Sequence, residues 1–294
     1  MTKKQKNKFI TYIVIFIAAV IYLSAERIER SNLSSKTDEN TTYGYVHFLD
    51  VGQGDCTLIE SQNGKFSLID ASTDDAKHKI VSYLENEGVT ELEYVIFTHP
   101  HEDHIGCGDE VLKSFTVKNI IMTDKTETTA CYSELIDEIV YSKKINGTKV
   151  IKPGNGDTFY MDGIEFLIIS DGKDYFDNTN NSSICFKLEL GKSTFLFTGD
   201  AEKVVEYDLL ESGYRLDAEV YKCAHHGSST SNSEAFIDAV NPDISVISCG
   251  IDNDYGHPHR EIVAALSERG IVSKRTDLDG DVVIAFNENE IILP

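Results

Sequence analysis

Short apolar runs alternate with amphipathic stretches along most of this chain. Runs rich in Val, Ile, Phe and Tyr are typical of β-strands, and stretches with apolar positions three and four apart have the period of helices. The pattern predicts strands at residues 45–50, 56–61, 65–70, 94–98, 119–122, 165–170, 184–190, 194–198, 218–223 and 244–248. It predicts helices at residues 76–87, 133–143, 202–211, 233–240 and 260–269, and a closing hairpin at 282–286 and 290–293.

The order of these elements indicates the fold class. Strands occur in both halves of the chain with helices between them, and no convincing linker interrupts residues 45–294. Such a chain buries its apolar surfaces when two sheets pack face to face with helices outside. We therefore expect residues 45–294 to form one α/β domain.

The N-terminal 25 residues have a different pattern. Four lysines precede an apolar stretch at residues 9–23, which is typical of a secretory signal or a signal anchor. Leu23-Ser24-Ala25 is a poor cleavage site, which favours an uncleaved membrane anchor at residues 1–25 over a cleaved signal peptide. The lysines predict a cytoplasmic N-terminus with the rest of the chain outside the cell membrane, or secreted after cleavage. The polar residues 26–44 are expected to form a flexible tether.

The predicted domain is strongly acidic. The chain has 27 Lys and Arg against 49 Asp and Glu, a formal net charge of −22, and residues 1–44 carry a small positive excess. This composition excludes a protein that binds nucleic acid mainly through Lys and Arg contacts with phosphates. An anionic substrate would need bound metal ions to supply local positive charge. Solubility is the simpler explanation of the acidity.

The first cluster of chemically active residues follows the apolar run 94–97. His99, His101, Asp103 and His104 fall within six positions, and imidazole and carboxylate are common ligands of a catalytic zinc-like ion. On extended backbone, His99 and His101 point the same way because they are two residues apart. Asp103 and His104 follow at a predicted turn into a helix and can face a second ion. Seven of the nine histidines lie in three clusters, whereas solvated surface histidines would be scattered.

Two further strand ends carry candidate ligands. The apolar run 194–198 delivers Asp200, with Gly199 before it allowing close backbone approach. A carboxylate at this place can bridge two cations. The run 218–223 ends before His225, His226, Gly227 and Ser228, and a third histidine pair follows at His257 and His259. Together with the first cluster, these residues supply enough ligands for two metal ions.

These motifs resemble those of the metallo-β-lactamase superfamily. The matching features are His-x-His-x-Asp-His after a strand, then Thr-Gly-Asp, then His-His-Gly-Ser. More narrowly, the chain is similar to the soluble hydrolase domain of ComEC-type competence proteins, over residues 45–294. Further matching segments lie at residues 48–55, 180–183, 255–259 and 275–280. The resemblance implies a four-layer αββα sandwich, here placed after an N-terminal membrane anchor helix, with metal ions at one edge between the sheets.

The resemblance also assigns metal ligands. It gives His99 and His101 to one ion and Asp103 and His104 to the other, with Asp200 bridging them. His225 would complete the second site, and His226 is the less favoured choice. Many members of the superfamily place another histidine before the Asp200 strand, where this chain has residues 178–183 without one. Asn181 or water would take that position, so one or two divalent ions, Zn or Mn, are expected.

The remaining predictions concern catalysis and substrate. Asp103 and Asp200 would orient a water nucleophile, and His257 would stabilise developing charge or protonate the leaving group. Asp70, at another strand end, would support the ligand histidines. The residues predicted to contact substrate are Asp55, in a glycine-rich loop that could equally be a structural turn, Asn181, Ser228 and Arg275.

The sequence therefore predicts a metal-dependent hydrolase, most specifically a phosphodiesterase or nuclease that acts on a phosphate ester such as DNA. Two alternatives stay open. One is hydrolysis of another ester, such as phosphocholine, teichoic acid or a lactone, and the other is a non-catalytic binding protein on the same scaffold. Substrate and membrane are the expected partners, and the sequence indicates no protein partner.

Overall fold

A computed structural model describes residues 42–172 and 178–293 of the chain. The compact unit spans Tyr43–Ile291. The predicted anchor at residues 1–25 and most of the predicted tether lie outside the described residues. Within the two described ranges, no helix combines the length and the apolar character that a membrane span requires.

The described residues form two sheets and eight α-helices. The strands are β1 Gly44–Phe48, β2 Thr57–Glu60, β3 Phe66–Ile69, β4 Glu91–Phe97, β5 Thr116–Met122, β6 Lys149–Ile151, β7 Thr158–Met161, β8 Ile164–Asp171, β9 Ile184–Leu190, β10 Ser193–Phe197, β11 Val220–Lys222, β12 Ile244–Ile247, β13 Val272–Arg275, β14 Val282–Phe286 and β15 Ile291–Ile292. The α-helices are α1 Lys77–Asn86, α2 Glu102–Ile105, α3 Gly108–Ser114, α4 Ala130–Ile145, α5 Lys203–Glu211, α6 Glu234–Val240, α7 Arg260–Glu268 and α8 Thr276–Asp279.

The two sheets repeat one design. The first has the order β15-β14-β1-β2-β3-β4-β5-β6 and the second has the order β13-β12-β11-β10-β9-β8-β7. In the first sheet, β1 to β3 pair antiparallel and β3 to β6 pair parallel. In the second, β7 to β10 pair antiparallel and β10 to β13 pair parallel. Strand β14 then returns to the first sheet and pairs antiparallel with β1.

The sheets face each other through aromatic side chains. Phe48 of β1 stacks on Phe197 of β10 with ring centroids 6.0 Å apart, and Phe186 of β9 lies 5.0 Å from Phe197. All three are buried. Aromatic side chains bury large apolar areas in such packing, so these contacts hold one sheet against the other.

Helices cover the opposite faces of both sheets. Apolar residues of α1, α3 and α4 share one buried cluster with residues of the first sheet. Residues of α5, α6 and α7 share another with residues of the second. The predicted α/β fold with two sheets is confirmed.

The elements that the sequence pattern missed include three edge strands. Strand β6 is at one edge of the first sheet, and β7 and β13 are the two edges of the second. An edge strand has one unpaired side and a more polar environment, so it needs no continuous apolar run. Strand β13 shows this, because its sequence Val-Ser-Lys-Arg contains no buried residue.

Gly199 connects β10 to the candidate ligand Asp200, and any side chain at this position is expected to destabilise the fold. Its φ is +50°, and a Cβ atom there would lie 2.9 Å from Ser183 Oγ and 3.0 Å from Thr98 Cβ. Gly213→Ala is the matched control, because Gly213 has φ +81° with no atom within 4 Å of the added Cβ. We expect Gly213→Ala to cost about 1–2 kcal/mol of unfolding free energy through backbone strain. Gly199→Ala should cost about 1–3 kcal/mol more through overpacking. Urea unfolding measures both, and equal losses would contradict the close approach.

Candidate metal centre

Several strands of both sheets end at one place. Each candidate residue lies within three positions of the end of a strand: Asp70 after β3, His99 after β4, Asp200 after β10 and His225 after β11. Strand β3 is parallel to β4, and β10 is parallel to β11. The carboxyl ends of parallel strands meet at the same edge of a sheet, which is where α/β proteins place their ligands. The candidate residues therefore meet at the end of the sandwich.

The loop after β4 presents its two leading histidines together. His101 is the residue before α2 and has an extended conformation, with φ −72° and ψ 151°. His99 Nε2 lies 3.0 Å from His101 Nδ1, so the two rings point to the same place. His104, in α2, brings its ring to within 4.2 Å of the His99 ring, measured between centroids.

A four-residue cluster forms the centre of the site. Asp103, His104, Asp200 and His226 each offer one ligand atom, and these atoms lie within 4.8 Å of one another. His104 Nε2 is 3.2 Å from Asp200 Oδ1, and His226 Nε2 is 3.2 Å from Asp103 Oδ2. Two imidazoles and two carboxylates are a donor set suited to zinc or a similar divalent ion.

The ring nitrogens that face away from the cluster have acceptors. His104 Nδ1 donates to Asp70 Oδ2 at 2.8 Å, and Asp70 is fixed in turn by the backbone N–H and hydroxyl of Thr98. His226 Nδ1 donates to the carbonyl oxygen of Ser248 at 3.0 Å. In the neutral form, each ring keeps its proton on Nδ1 for these acceptors, so its Nε2 can present a lone pair to a cation. A cation bound between the Nε2 atoms and the carboxylates would pair with both kinds of group.

Two buried atoms of the cluster support the same conclusion. Within the described part of the chain, His104 Nε2 and Asp200 Oδ1 are buried and make no hydrogen bond, although they lie 3.2 Å apart. Buried polar atoms almost always have a partner, and an ion is one of the accepted explanations when they have none. The residues present therefore fit a divalent metal ion.

The electrostatics of the cluster are those of a cation site. Burial raises the pKa of Asp200, but His104 and His226 outweigh burial and hold that pKa well below its ordinary value. Burial lowers the pKa of His226, whereas Asp200 and Asp55 raise it, and the result is about 10. The carboxylates thus create a negative potential that stabilises positive charge, and a metal ion that binds there displaces protons.

The backbone at the histidine pair explains which ring enters the cluster. His225 and His226 both have left-handed conformations, with φ of 50° and 53°. Such conformations cost about 1–3 kcal/mol for residues other than glycine and concentrate at functional sites. They place His226 against Asp103, whereas His225 Nδ1 lies 3.2 Å from Thr230 Oγ1 and its Nε2 lies 3.6 Å from Asp200 Oδ2. The geometry therefore favours His226 as the metal ligand. The sequence-based assignment of His225 as that ligand stays a prediction.

His257 lies beside this pair, and its role in catalysis stays a prediction. Its ring centroid is 5.4 Å from that of His225 and 6.1 Å from that of His226. The exposed Tyr255 stacks on the His257 ring with centroids 5.6 Å apart. Burial, together with His226 and His225, lowers the pKa of His257 to about 4. His257 is therefore neutral near pH 7.

The residues predicted to contact substrate are held by other partners. Asp55 is buried and bonded to Lys222 at 2.8 Å. Asn181 accepts from the backbone of Glu202, and Ser228 is buried with its hydroxyl 3.1 Å from Thr230 Oγ1. Arg275 donates twice to Asp277. The structure places none of these four residues in the ligand cluster, and their contacts with substrate stay predictions.

Ser183 is a site residue that the sequence reasoning missed. Its hydroxyl accepts from the backbone N–H of Asp200 at 3.0 Å and lies 3.3 Å from His99 Nδ1. It therefore connects the predicted bridging ligand to the first histidine, in the segment where many superfamily members carry another ligand. Its position directly after Asn181 and Ser182 was the feature of the sequence that could have identified it as a site residue.

Two mixed sheets with a centre of histidines and aspartates at their shared edge define a class of metal-binding, hydrolase-like proteins. A family model of the metallo-beta-lactamase superfamily matches residues 49–251. The chain belongs to this superfamily.

The relatives confirm the narrower resemblance to ComEC-type competence proteins. ComE operon protein 3 of Bacillus subtilis (strain 168) is 29% identical over 258 residues, covering 81% of this chain and 32% of that protein. Recombination protein 2 of Haemophilus influenzae is 29% identical over 251 residues, covering 84% of this chain and 29% of that protein. The chain thus spans about a third of the length of these relatives.

A solved structure agrees on the fold. The metallo-beta-lactamase fold protein YhfI from Bacillus subtilis superposes with a TM-score of 0.57 at 13% identity, covering 83% of this chain and 100% of that chain. At this identity the likeness concerns the fold alone.

The cluster predicts a measurable metal content. Wild-type protein dialysed against Mn²⁺ or Zn²⁺ should retain one or two ions per chain, and Asp200→Asn should lose at least one because it removes a buried charged ligand. Elemental analysis of the dialysed proteins measures this. His78→Ala is the matched control, since His78 is an exposed histidine on α1. A wild-type content well below one ion, unresponsive to added metal, would contradict the centre and favour a metal-free scaffold.

The two adjacent histidines should differ in their effect on metal binding. His226→Ala removes the ring that lies 3.2 Å from Asp103, and we expect it to weaken metal affinity more than about tenfold. His225→Ala should weaken it less. Titration calorimetry with the same ion compares the two variants, and a larger loss in His225→Ala would restore the sequence-based assignment.

Proposed function

We propose that this protein is a metal-dependent phosphodiesterase. The convergence of Asp103, His104, Asp200 and His226 supports it most directly, because these side chains form a buried donor set that is open on the Asp103 side. A bound divalent ion supplies Lewis-acid charge and lowers the pKa of a water molecule toward neutrality. The rest of the chemistry falls to the residues of the chain.

Each residue near the cluster has a distinct task in this proposal. Asp103 is partly exposed, so it can accept a hydrogen bond from the attacking water and orient it toward the phosphorus. Asp200 is buried and holds its position through its backbone bond to Ser183. His257 is neutral near pH 7 because its pKa is about 4, so its role is to donate a hydrogen bond to developing charge. Protonation of the leaving group then falls to solvent.

The substrate class rests on two supports. The name of one relative, Recombination protein 2, refers to recombination, which favours a phosphodiester of a nucleic acid. A metal centre supplies the positive charge that an anionic phosphodiester needs in a chain with a net charge of −22. The same acidity favours the second candidate, hydrolysis of a small ester, over cleavage of long DNA.

One assay distinguishes the two candidate functions, cleavage of a nucleic-acid phosphodiester and hydrolysis of a small ester. Purified residues 43–294 are incubated with Mn²⁺ or Zn²⁺ and either single-stranded DNA or bis-p-nitrophenyl phosphate. We expect turnover of the diester, and a fall of at least about 100-fold in kcat for Asp200→Asn with His78→Ala unchanged. Turnover of the small diester without DNA cleavage supports the second candidate. A metal-loaded protein that hydrolyses neither substrate contradicts the proposal.

We also propose that residues 1–25 tether the domain outside the cell membrane. The support is the order of four lysines and an apolar stretch. In intact cells that express the full chain, added protease should digest the domain while a cytoplasmic marker survives. Deletion of residues 1–25 should keep the domain inside. A domain protected in intact cells but cleaved after lysis would contradict the proposed location.

A further inference from the structure

A buried ion pair joins the two halves of the domain beside the metal centre. Lys222 is the last residue of β11, and its Nζ donates to Asp55 Oδ2 at 2.8 Å. The two side chains are 3% and 7% exposed. Asp55 lies between β1 and β2, so the pair links a loop of the first sheet to a strand of the second.

Asp55 contacts two members of the cluster. Its Oδ1 lies 3.4 Å from His226 Nδ1, the nitrogen that also donates to Ser248. Its backbone N–H donates to the carbonyl oxygen of Asp103 at 3.0 Å. A line of contacts therefore runs from Lys222 through Asp55 to the ring of one ligand and the backbone of another.

A role in stability alone does not explain this pair. Lysine is almost never fully buried unless it is paired. Replacing a buried ion pair by apolar side chains of similar size is often neutral or stabilising, because taking two charges out of water is costly. The pair therefore fits a task that apolar side chains cannot perform, which is to hold an ionised carboxylate against His226.

We infer that Lys222 and Asp55 are positioning residues that orient His226 toward the metal centre. Lys222 fixes one oxygen of Asp55 and neutralises its charge. The other oxygen then faces His226 Nδ1 at 3.4 Å, beside the hydrogen bond from that nitrogen to Ser248. The two contacts together hold the ring with Nε2 directed at Asp103 and Asp200. This inference rests on the metal centre of the proposed function and is independent of the reaction that occurs there.

The decisive comparison uses a single and a double variant. Lys222→Met should weaken the affinity for Mn²⁺ or Zn²⁺ about 10- to 100-fold, because Asp55 loses its partner and His226 its orientation. In the double variant Lys222→Met with Asp55→Leu, apolar side chains replace the whole pair. We expect this variant to recover melting temperature without recovering metal affinity. Titration calorimetry and thermal unfolding of the metal-free proteins provide the two readouts.

Lys187→Met is the matched control. Lys187 is also a buried lysine, 1% exposed, whose ion pair with Glu189 at 2.8 Å lies on β9 outside the cluster. The Lys187→Met variant should change stability and leave metal affinity as in the wild type. Asp55→Asn tests the contact with His226 separately, should Lys222→Met fail to fold, and is expected to weaken metal affinity in the same way.

The outcomes separate this inference from the proposed function. Wild-type metal affinity in Lys222→Met and Asp55→Asn overturns the positioning role and leaves the metal centre standing. Recovery of both stability and affinity in the double variant shows that the pair is structural only, and also overturns it. A wild-type protein that binds no ion overturns the metal centre and this inference together.

Discussion

The edge shared by the two sheets gathers a concentration of negative charge that the fold must neutralise. Asp55, Asp70 and Asp200 are buried there, and Asp103 lies beside them. Isolated buried carboxylates are so unfavourable that they require paired cations or bound metal. Each of the four touches an imidazole or an ammonium group. Asp200 Oδ1 and His104 Nε2, which make no hydrogen bond among the described residues, lie 3.2 Å apart within the cluster.

The fold gathers these charges because its strands end together. Each half of the domain has an antiparallel portion followed by a parallel one, so the carboxyl ends of β3, β4, β10 and β11 share one edge. Local backbone then sets the direction of individual side chains. Gly199 lets the chain pass close to Thr98 and Ser183, and the left-handed turn at His225 and His226 sends the two rings different ways.

The surroundings of the cluster give its histidines different chemistry. His104 and His226 face carboxylates and bond outward through Nδ1, which directs Nε2 to the centre. His257 lies beside His225 and His226, and its pKa falls to about 4. One residue type therefore provides candidate metal ligands and a neutral imidazole, according to the charge of its neighbours.

The chain order of motifs predicted the class of protein, and it named Asp103, His104 and Asp200, which converge in the cluster. The spacing of His99, His101, Asp103 and His104 after an apolar run is a local property, and so is a carboxylate at the end of β10. Local spacing also predicted that Asp70 would support a ligand histidine, and it bonds to His104. The interior strands were recognisable because they are buried on both faces and therefore read as apolar runs.

Only the tertiary structure distinguished His226 from His225, because two adjacent residues have the same sequence context and differ in the backbone angles that direct their rings. It also brought Asp55, a predicted substrate contact, into a buried bond with Lys222, a residue 167 positions away. Sequence determines which chemical groups are available and in what order. Which of these groups come into contact depends on how strands that are distant in the chain pair and pack. A local sequence pattern does not predict that long-range geometry.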